Sequence, residues 1–171
     1  MEGPAIQYRN ILGRILSFSW LSKTTIVEII SMLFVILFLY TGISKLMEYG
    51  VFKEQIAESP ILQPIAPFIA WGLPLTEFLV SILLIIPRWR LKGLYASLLL
   101  MIAFTLYIGA IMAFNKELPC SCGGIISELS WQGHLIFNSV FILLALAGVL
   151  LEKLTRNLQK TDLDNIISGN R

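Results

Sequence analysis

The chain has 171 residues, of which 56% are hydrophobic and only 14% are charged; its net charge is +2 and its mean hydropathy is +0.77. Soluble domains carry about 25% charged residues, so this composition excludes an ordinary soluble protein. The length predicts a single domain. We expect that domain to lie in a membrane, with lipid around it and no nucleic acid as a partner.

The amino-terminal part, residues 1–23, is a basic arm with Arg9, Arg14 and Lys23. The apolar side chains that would share one face of a helix are Ile11, Leu12, Ile15, Leu16 and Trp20. This pattern predicts an interfacial amphipathic helix on the membrane surface. A targeting peptide is the alternative, but no small-residue cleavage site follows the apolar run, so we interpret the arm as retained.

Four apolar runs follow, each close to the 20 residues with which a helix crosses a bilayer. They cover about residues 25–44, 67–87, 94–114 and 134–151. Only helices or closed barrels satisfy the backbone in lipid, and no alternating pattern favours a barrel. The sequence therefore predicts an all-α membrane protein: a four-transmembrane-helix bundle over residues 24–151, followed by a tail at 152–171.

The basic residues predict the orientation of this bundle. Ten of the 13 lie in the arm, in the connection around Arg88, Arg90 and Lys92, or in the tail. Because cytoplasmic segments carry the excess of Lys and Arg, we expect both termini in the cytoplasm. We expect the protein to be a multi-pass protein of the inner (cytoplasmic) membrane of the bacterial type.

The first outer connection, residues 45–66, is long enough to form structure of its own. Apolar residues interleaved with charges predict that the first helix continues and then lies along the surface, before three prolines break it. The segment is either a cap over the other outer loop or a plain amphipathic connector.

Glu77 lies about ten residues inside the second predicted helix, and no basic residue is expected at comparable depth. An ionisable side chain within a membrane is costly and by default marks function, which makes Glu77 a candidate proton carrier. The structural alternative is a hydrogen bond to Thr105, Tyr107 or Asn138 on another helix.

Both cysteines of the chain, Cys120 and Cys122, lie in the second outer connection, between Pro119 and the pair Gly123-Gly124. A Cys-x-Cys pair either cycles between dithiol and disulfide or binds a soft metal. On the outer side of the membrane a disulfide forms and persists. Two unrelated loop cysteines are the remaining alternative.

The single histidine, His134, is at the predicted outer end of the fourth helix, twelve residues after Cys122. Imidazole exchanges protons near neutral pH and raises the thiolate fraction of a neighbouring thiol. His134 is thus the fourth candidate catalytic residue, although a histidine at a helix start is also common at a membrane interface.

Several motifs together resemble the MauE branch of the DoxX-like membrane proteins. These are the string Tyr40–Lys45 at the end of helix one, Pro74–Glu77 in helix two, and the loop Pro119–Gly123 before helix four. The resemblance covers about Ile26 to Leu151. In the loop, family members share Cys-Gly-Cys-Phe-Gly, whereas this chain has Cys120-Ser121-Cys122-Gly123-Gly124, so the middle residue and the Phe are replaced.

The resemblance implies a membrane thiol-disulfide redox protein that helps to form or maintain disulfides in an exported partner. With two cysteines and no second internal pair, electrons must pass to a membrane quinone or to a separate protein of the thioredoxin type. We therefore expect an exported or periplasmic thiol protein as a partner and a quinone as a candidate cofactor.

Two other functions stay open. In the first, the protein binds copper or zinc through Cys120, Cys122 and His134, with Glu128 or Met47 as a fourth ligand. In the second, the protein is a non-catalytic membrane anchor or assembly subunit of an envelope complex, and the loop disulfide only stiffens a docking surface.

Overall fold

A computed structural model describes residues 23–58, 62–114 and 131–169. The described residues form helices and no strand. The helices are α1 (Lys23–Met47), α2 (Tyr49–Glu58), a short 3-10 helix (Gln63–Ile65), α3 (Ala66–Ile85), α4 (Arg90–Phe114) and α5 (Trp131–Gly169). Helices α1, α3, α4 and α5 are each long and apolar enough to cross a membrane, which confirms the predicted all-α fold with four spans.

The four long helices pack as a bundle in which successive helices run in opposite directions. Helix α1 packs against α3 and α5, and α4 packs against the same two helices. Aromatic rings fill the centre: the Phe34 ring meets the Phe141 ring edge-on with 5.2 Å between centroids, and Phe38 lies beside it. Each helix also presents large apolar side chains outward; the most exposed include Ile36, Leu75, Leu99 and Leu143, each more than 60% exposed. Lipid is the surrounding that such a surface fits.

The end of the bundle formed by the start of α1, the α3–α4 turn and the second half of α5 is called the basic end here. Arg156 of α5 ties this end together, because its guanidinium donates to the Pro87 carbonyl at 3.0 Å and to Glu152 at 2.8 Å. At the turn, a Cβ atom on Gly93 would lie 2.9 Å from the backbone nitrogen of Leu84. Only glycine allows α3 and α4 to approach so closely.

The opposite end, which contains α2, is called the α2 end. Helix α2 begins directly after the Glu48 position and packs Phe52 and Ile56 against Ala66 and Ala70 of α3. The predicted continuation of helix one thus forms a separate ten-residue helix. It covers the part of α3 that projects beyond the end of α1.

Helix α5 is longer than the predicted fourth run. Its 39 residues correspond to about 58 Å at 1.5 Å per residue, roughly twice the thickness of the hydrocarbon core. The helix therefore continues through most of the segment that the sequence assigned to the tail. The basic arm up to residue 22, Cys120, Cys122 and Glu128 lie outside the described residues.

Candidate functional site: a buried ion pair between α1 and α3

Glu77 is the most deeply buried charged side chain of the described bundle. It is the twelfth of the 20 residues of α3, about 16 Å from the start of that helix at 1.5 Å per residue, and it is 0% exposed. Pro74, one turn earlier, has no N–H to continue the helical hydrogen bonds. Glu77 thus occupies the middle of a membrane-spanning helix and faces its neighbours instead of lipid.

The partner of Glu77 is Lys45, on the last turn of α1. The Lys45 Nζ atom lies 2.6 Å from Glu77 Oε1, and the Lys45 side chain is 18% exposed. Because α1 and α3 run in opposite directions, the lysine side chain extends from near the end of its helix towards the middle of α3. The pair therefore joins a fully buried carboxyl group to an ammonium group that still reaches the surface.

Gly42 brings the two helices together at this point. A Cβ atom on Gly42 would lie 3.1 Å from Cε1 of Phe78 and 3.3 Å from Oε2 of Glu77. Both distances are tighter than ordinary van der Waals contacts, so a side chain here would press on the carboxyl group. The glycine allows the backbone of α1 to pass directly beside Glu77.

The surroundings of the ammonium group are largely aromatic. Lys45 Nζ is 5.8 Å from the ring centroids of both Phe52 on α2 and Phe104 on α4, within the range of a cation–π interaction. Its remaining polar contact is a long one, 3.4 Å, to the carbonyl of Thr41. The site is thus an ammonium group between two rings and one carboxylate.

The second carboxyl oxygen of Glu77 is not satisfied. Oε2 is buried and accepts no hydrogen bond from the described part of the chain. The Thr41 side chain lies near the carboxyl group, but its hydroxyl donates to the Phe38 carbonyl at 3.4 Å. A buried ion pair stabilises a protein only when its remaining polar atoms are satisfied, so the attraction within this pair does not fully offset the desolvation free energy of its two charged groups.

The sequence indicated that Glu77 lies deep within the second helix, but it did not predict the partner of this side chain. Thr105, one of the three predicted partners, instead donates to the Met101 carbonyl of its own helix at 2.7 Å. Lys45 was assigned to the outer connection, and no basic residue was expected near this depth. The sequence contained one signal for an inward-facing Lys45. Thr41 and Lys45 are four residues apart and therefore lie on one face of the helix, and a lysine side chain is long enough to extend back along that face into the bundle.

His134 is half-buried in the first turn of α5. Two contacts set the register between α1 and α5: the rings of Phe34 and Phe141 meet, and a Cβ atom on Gly148 would lie 3.2 Å from Ile30. Because α1 and α5 are antiparallel, this register places His134 at the same height along the bundle axis as Gly42, and therefore at the same height as Glu77. Helix α5 packs mainly against α1 and α4, whereas Glu77 lies on α3 and contacts Lys45 of α1.

The metal hypothesis depends on Cys120 and Cys122, which are outside the described residues. Among the residues that are described, no three His, Cys, Asp or Glu side chains come together to hold a metal ion. Met47, one suggested fourth ligand, is 82% exposed at the end of α1.

Comparison with known proteins gives one family. The model of the family described as "Methylamine utilisation protein MauE" matches residues 23–151. This range begins with α1 and includes α3, α4 and residues 131–151 of α5, together with the Lys45–Glu77 pair and the Cys-x-Cys loop. Neither a curated protein nor a solved structure matches the chain significantly. Because the match covers well over half of the chain, this multi-pass membrane protein belongs to the MauE family.

Proposed function

We propose that the protein is a membrane thiol-disulfide redox protein, in which Cys120 and Cys122 help to form or maintain disulfides in an exported partner. The observation that carries this proposal is the position of the pair in the connection between α4 and α5. Those helices meet at the α2 end, opposite the basic end. The family name suggests that the partner serves methylamine utilisation.

The charge distribution supports an outward-facing position of the cysteine loop. The described basic residues at or beyond the basic end are Lys23, Arg88, Arg90, Lys92, Lys153, Arg156 and Lys160. At the α2 end the described residues include only two, Lys45 and Lys53, and Lys45 is paired with Glu77. By the positive-inside rule the basic end faces the cytoplasm, so the loop faces an oxidising compartment.

The proposed chemistry is thiol-disulfide exchange. A thiolate of the partner attacks the Cys120–Cys122 disulfide and forms a mixed disulfide with one cysteine, which releases the other cysteine as a thiolate. The partner's second thiolate then attacks the partner's sulfur in this mixed disulfide and displaces the remaining loop cysteine as a thiolate. The partner gains a disulfide, and the loop gains a dithiol. To return to the disulfide, the loop must pass two electrons to an acceptor, a membrane quinone or a separate thioredoxin-like protein, and release two protons. His134 and Glu77 are the candidate proton acceptors.

Single replacements of the cysteines test this proposal. Without the resolving thiol a mixed disulfide forms but cannot be resolved, so one of the single variants, Cys120→Ser or Cys122→Ser, should accumulate a covalent adduct in cells that dissolves in reductant. The double replacement is the matched control and should form none. If neither single variant forms an adduct and the double variant keeps full function, the anchor hypothesis replaces the redox one. Stoichiometric copper or zinc in the purified protein, lost in the double variant, would favour the metal hypothesis.

A further inference from the structure

We propose that Lys45 is the positioning residue of a proton-accepting ion pair: it keeps Glu77 ionised within the membrane and yields the carboxylate to an incoming proton. This inference rests on the proposed redox function, which needs a proton acceptor near the α2 end. It assigns a role to a side chain that the Cys-x-Cys chemistry alone does not use.

Glu77 depends on Lys45 to remain ionised. The carboxyl group is 0% exposed, one of its oxygens has no described hydrogen-bond partner, and the backbone of α1 at Gly42 passes directly beside it. An isolated carboxylate in such surroundings neutralises itself by taking up a proton. The ammonium group 2.6 Å away is therefore the main group that holds the charged form, and the neighbouring Thr41 side chain is the lesser one.

The ion pair is isolated from other charged side chains. In the described structure, Lys45 is the one charged side chain in contact with Glu77. Other titratable or charged side chains on the helices packed against α3 are Lys23, Glu28 and Tyr40 on α1, Glu48 at its end, Tyr49, Lys53, Glu54 and Glu58 on α2, and Arg90, Lys92, Tyr95 and Tyr107 on α4. Arg90 pairs with Glu28 at the basic end. A change in the charge of Glu77 is thus felt mainly by Lys45.

The Lys45 ammonium group remains stabilised after Glu77 takes up a proton. When the carboxylate takes up one proton it becomes a neutral carboxyl group, and Lys45 remains an ammonium ion that has lost its counter-charge. The faces of Phe52 and Phe104, each 5.8 Å away, continue to stabilise a cation. The side chain is also 18% exposed, so the charge can be hydrated at the α2 end. The pair therefore accepts one proton without leaving a buried bare charge.

Infrared spectroscopy of the full-length protein in lipid bilayers tests the first step. A protonated carboxyl group has its own C=O stretching band, and the band that Glu77→Gln removes belongs to Glu77. In the wild type we expect this band to appear as the pH falls. In Lys45→Met we expect it throughout the same pH range, because the carboxylate has lost its counter-charge. Lys45→Arg, which keeps the charge, should titrate as the wild type does. If Lys45→Met does not fold, Lys45→Gln, which also lacks the charge, takes its place.

Two exposed residues of α2 provide matched controls. Lys53→Met and Glu54→Gln remove one charge each at the same end of the bundle, and neither should alter the Glu77 band. The inference is overturned if no Glu77-dependent band appears at any pH in the wild type. It is equally overturned if the band titrates identically in the wild type and in Lys45→Met.

Chemical rescue tests the ammonium site itself. In Lys45→Ala the space between the two rings and the carboxylate is free for a small primary ammonium ion. Added methylammonium should therefore convert the protonated carboxyl of this variant back to the ionised form, and tetramethylammonium, which has no N–H to donate, should not. No response to methylammonium, or an equal response to both ions, would overturn the inference.

These measurements are independent of the thiol chemistry. They need neither cysteine, and the double Cys→Ser protein should give the same Glu77 titration. If the adduct experiment succeeds and the Glu77 band never responds to Lys45, the redox function stands and this inference falls. If the adduct experiment fails and the titration is as expected, the ion pair remains a proton acceptor but serves another reaction.

Discussion

The stability of the bundle should depend on Lys45 and Glu77 jointly and not separately. At 2.6 Å and an effective dielectric constant of about 20, the attraction between the two charges is about 6 kcal/mol before desolvation is subtracted. Removing one partner of a buried pair costs about 3–5 kcal/mol, whereas replacing both by apolar residues is often neutral or stabilising. We therefore expect Lys45→Met to lower the free energy of unfolding by about 3 kcal/mol or more.

The two single replacements should differ in cost. Glu77 is 0% exposed and cannot reach water when Lys45 is removed, whereas Lys45 is 18% exposed and can. Glu77→Leu should thus destabilise less, by about 1–2 kcal/mol, because the ammonium group left behind is hydrated. The double variant Lys45→Met/Glu77→Leu should be close to the wild type.

The wild type, the two single variants and the double variant form a double-mutant cycle. Reversible unfolding in lipid–detergent bicelles would measure the free energy of unfolding of all four proteins under one condition. A coupling free energy of about 4–5 kcal/mol is the expected result, well above the ~0.5 kcal/mol within which independent sites add. Lys53→Met combined with Glu77→Leu is the matched control, since Lys53 is exposed on α2, and should be additive. If the Lys45 and Glu77 effects also add, the ion pair does not contribute to the fold and the argument from its burial is refuted.

Three further predictions concern the rest of the bundle. Gly93→Ala should lower the free energy of unfolding by about 1–3 kcal/mol, because the added Cβ would lie 2.9 Å from the backbone of α3. Gly109→Ala on the same helix is the control: nothing lies within 4 Å of its Cβ position, so it should be neutral or stabilising by up to about 1 kcal/mol. Equal effects of the two variants in thermal unfolding would contradict the close approach of α3 and α4. Arg156→Ala should cost about 1–3 kcal/mol through its lost bonds to the α3–α4 turn, which an unchanged melting temperature would contradict. A topology reporter fused after Arg171 should be cytoplasmic and one inserted after Lys116 external; the opposite result at either site would place the cysteines in a reducing compartment.

The architecture was predictable because it depends on properties that are local in the sequence. A run of about 20 apolar residues can satisfy its backbone in lipid only as a helix, so each of the four spans is visible in its own segment. Glu77 was visible for the same reason, since a charge within such a run is conspicuous. The length of α5 was not, because its continuation past Leu151 is polar and the hydropathy pattern ends before the helix does.

The partner of Glu77 was harder to predict because it depends on contacts between distant segments. Lys45 is 32 residues away in sequence, and its position at the end of α1 suggests a surface charge. Only the packing of α1 against α3, made close by Gly42, shows that the side chain turns inward. Similarly, the role of Phe52 beside the ammonium group depends on how α2 folds back over α3, which no periodicity in the sequence reveals.

The redox state and accessibility of Cys120 and Cys122 in living cells test the central proposal most directly. Intact cells are treated with a membrane-impermeant thiol reagent before and after mild reduction, and labelling of the full-length protein is compared with that of the double Cys→Ser variant. The account predicts that the reagent reaches the cysteines from outside and that labelling increases after reduction, because an oxidised fraction is present. Cysteines that are fully reduced and label only after the membrane is permeabilised would contradict it.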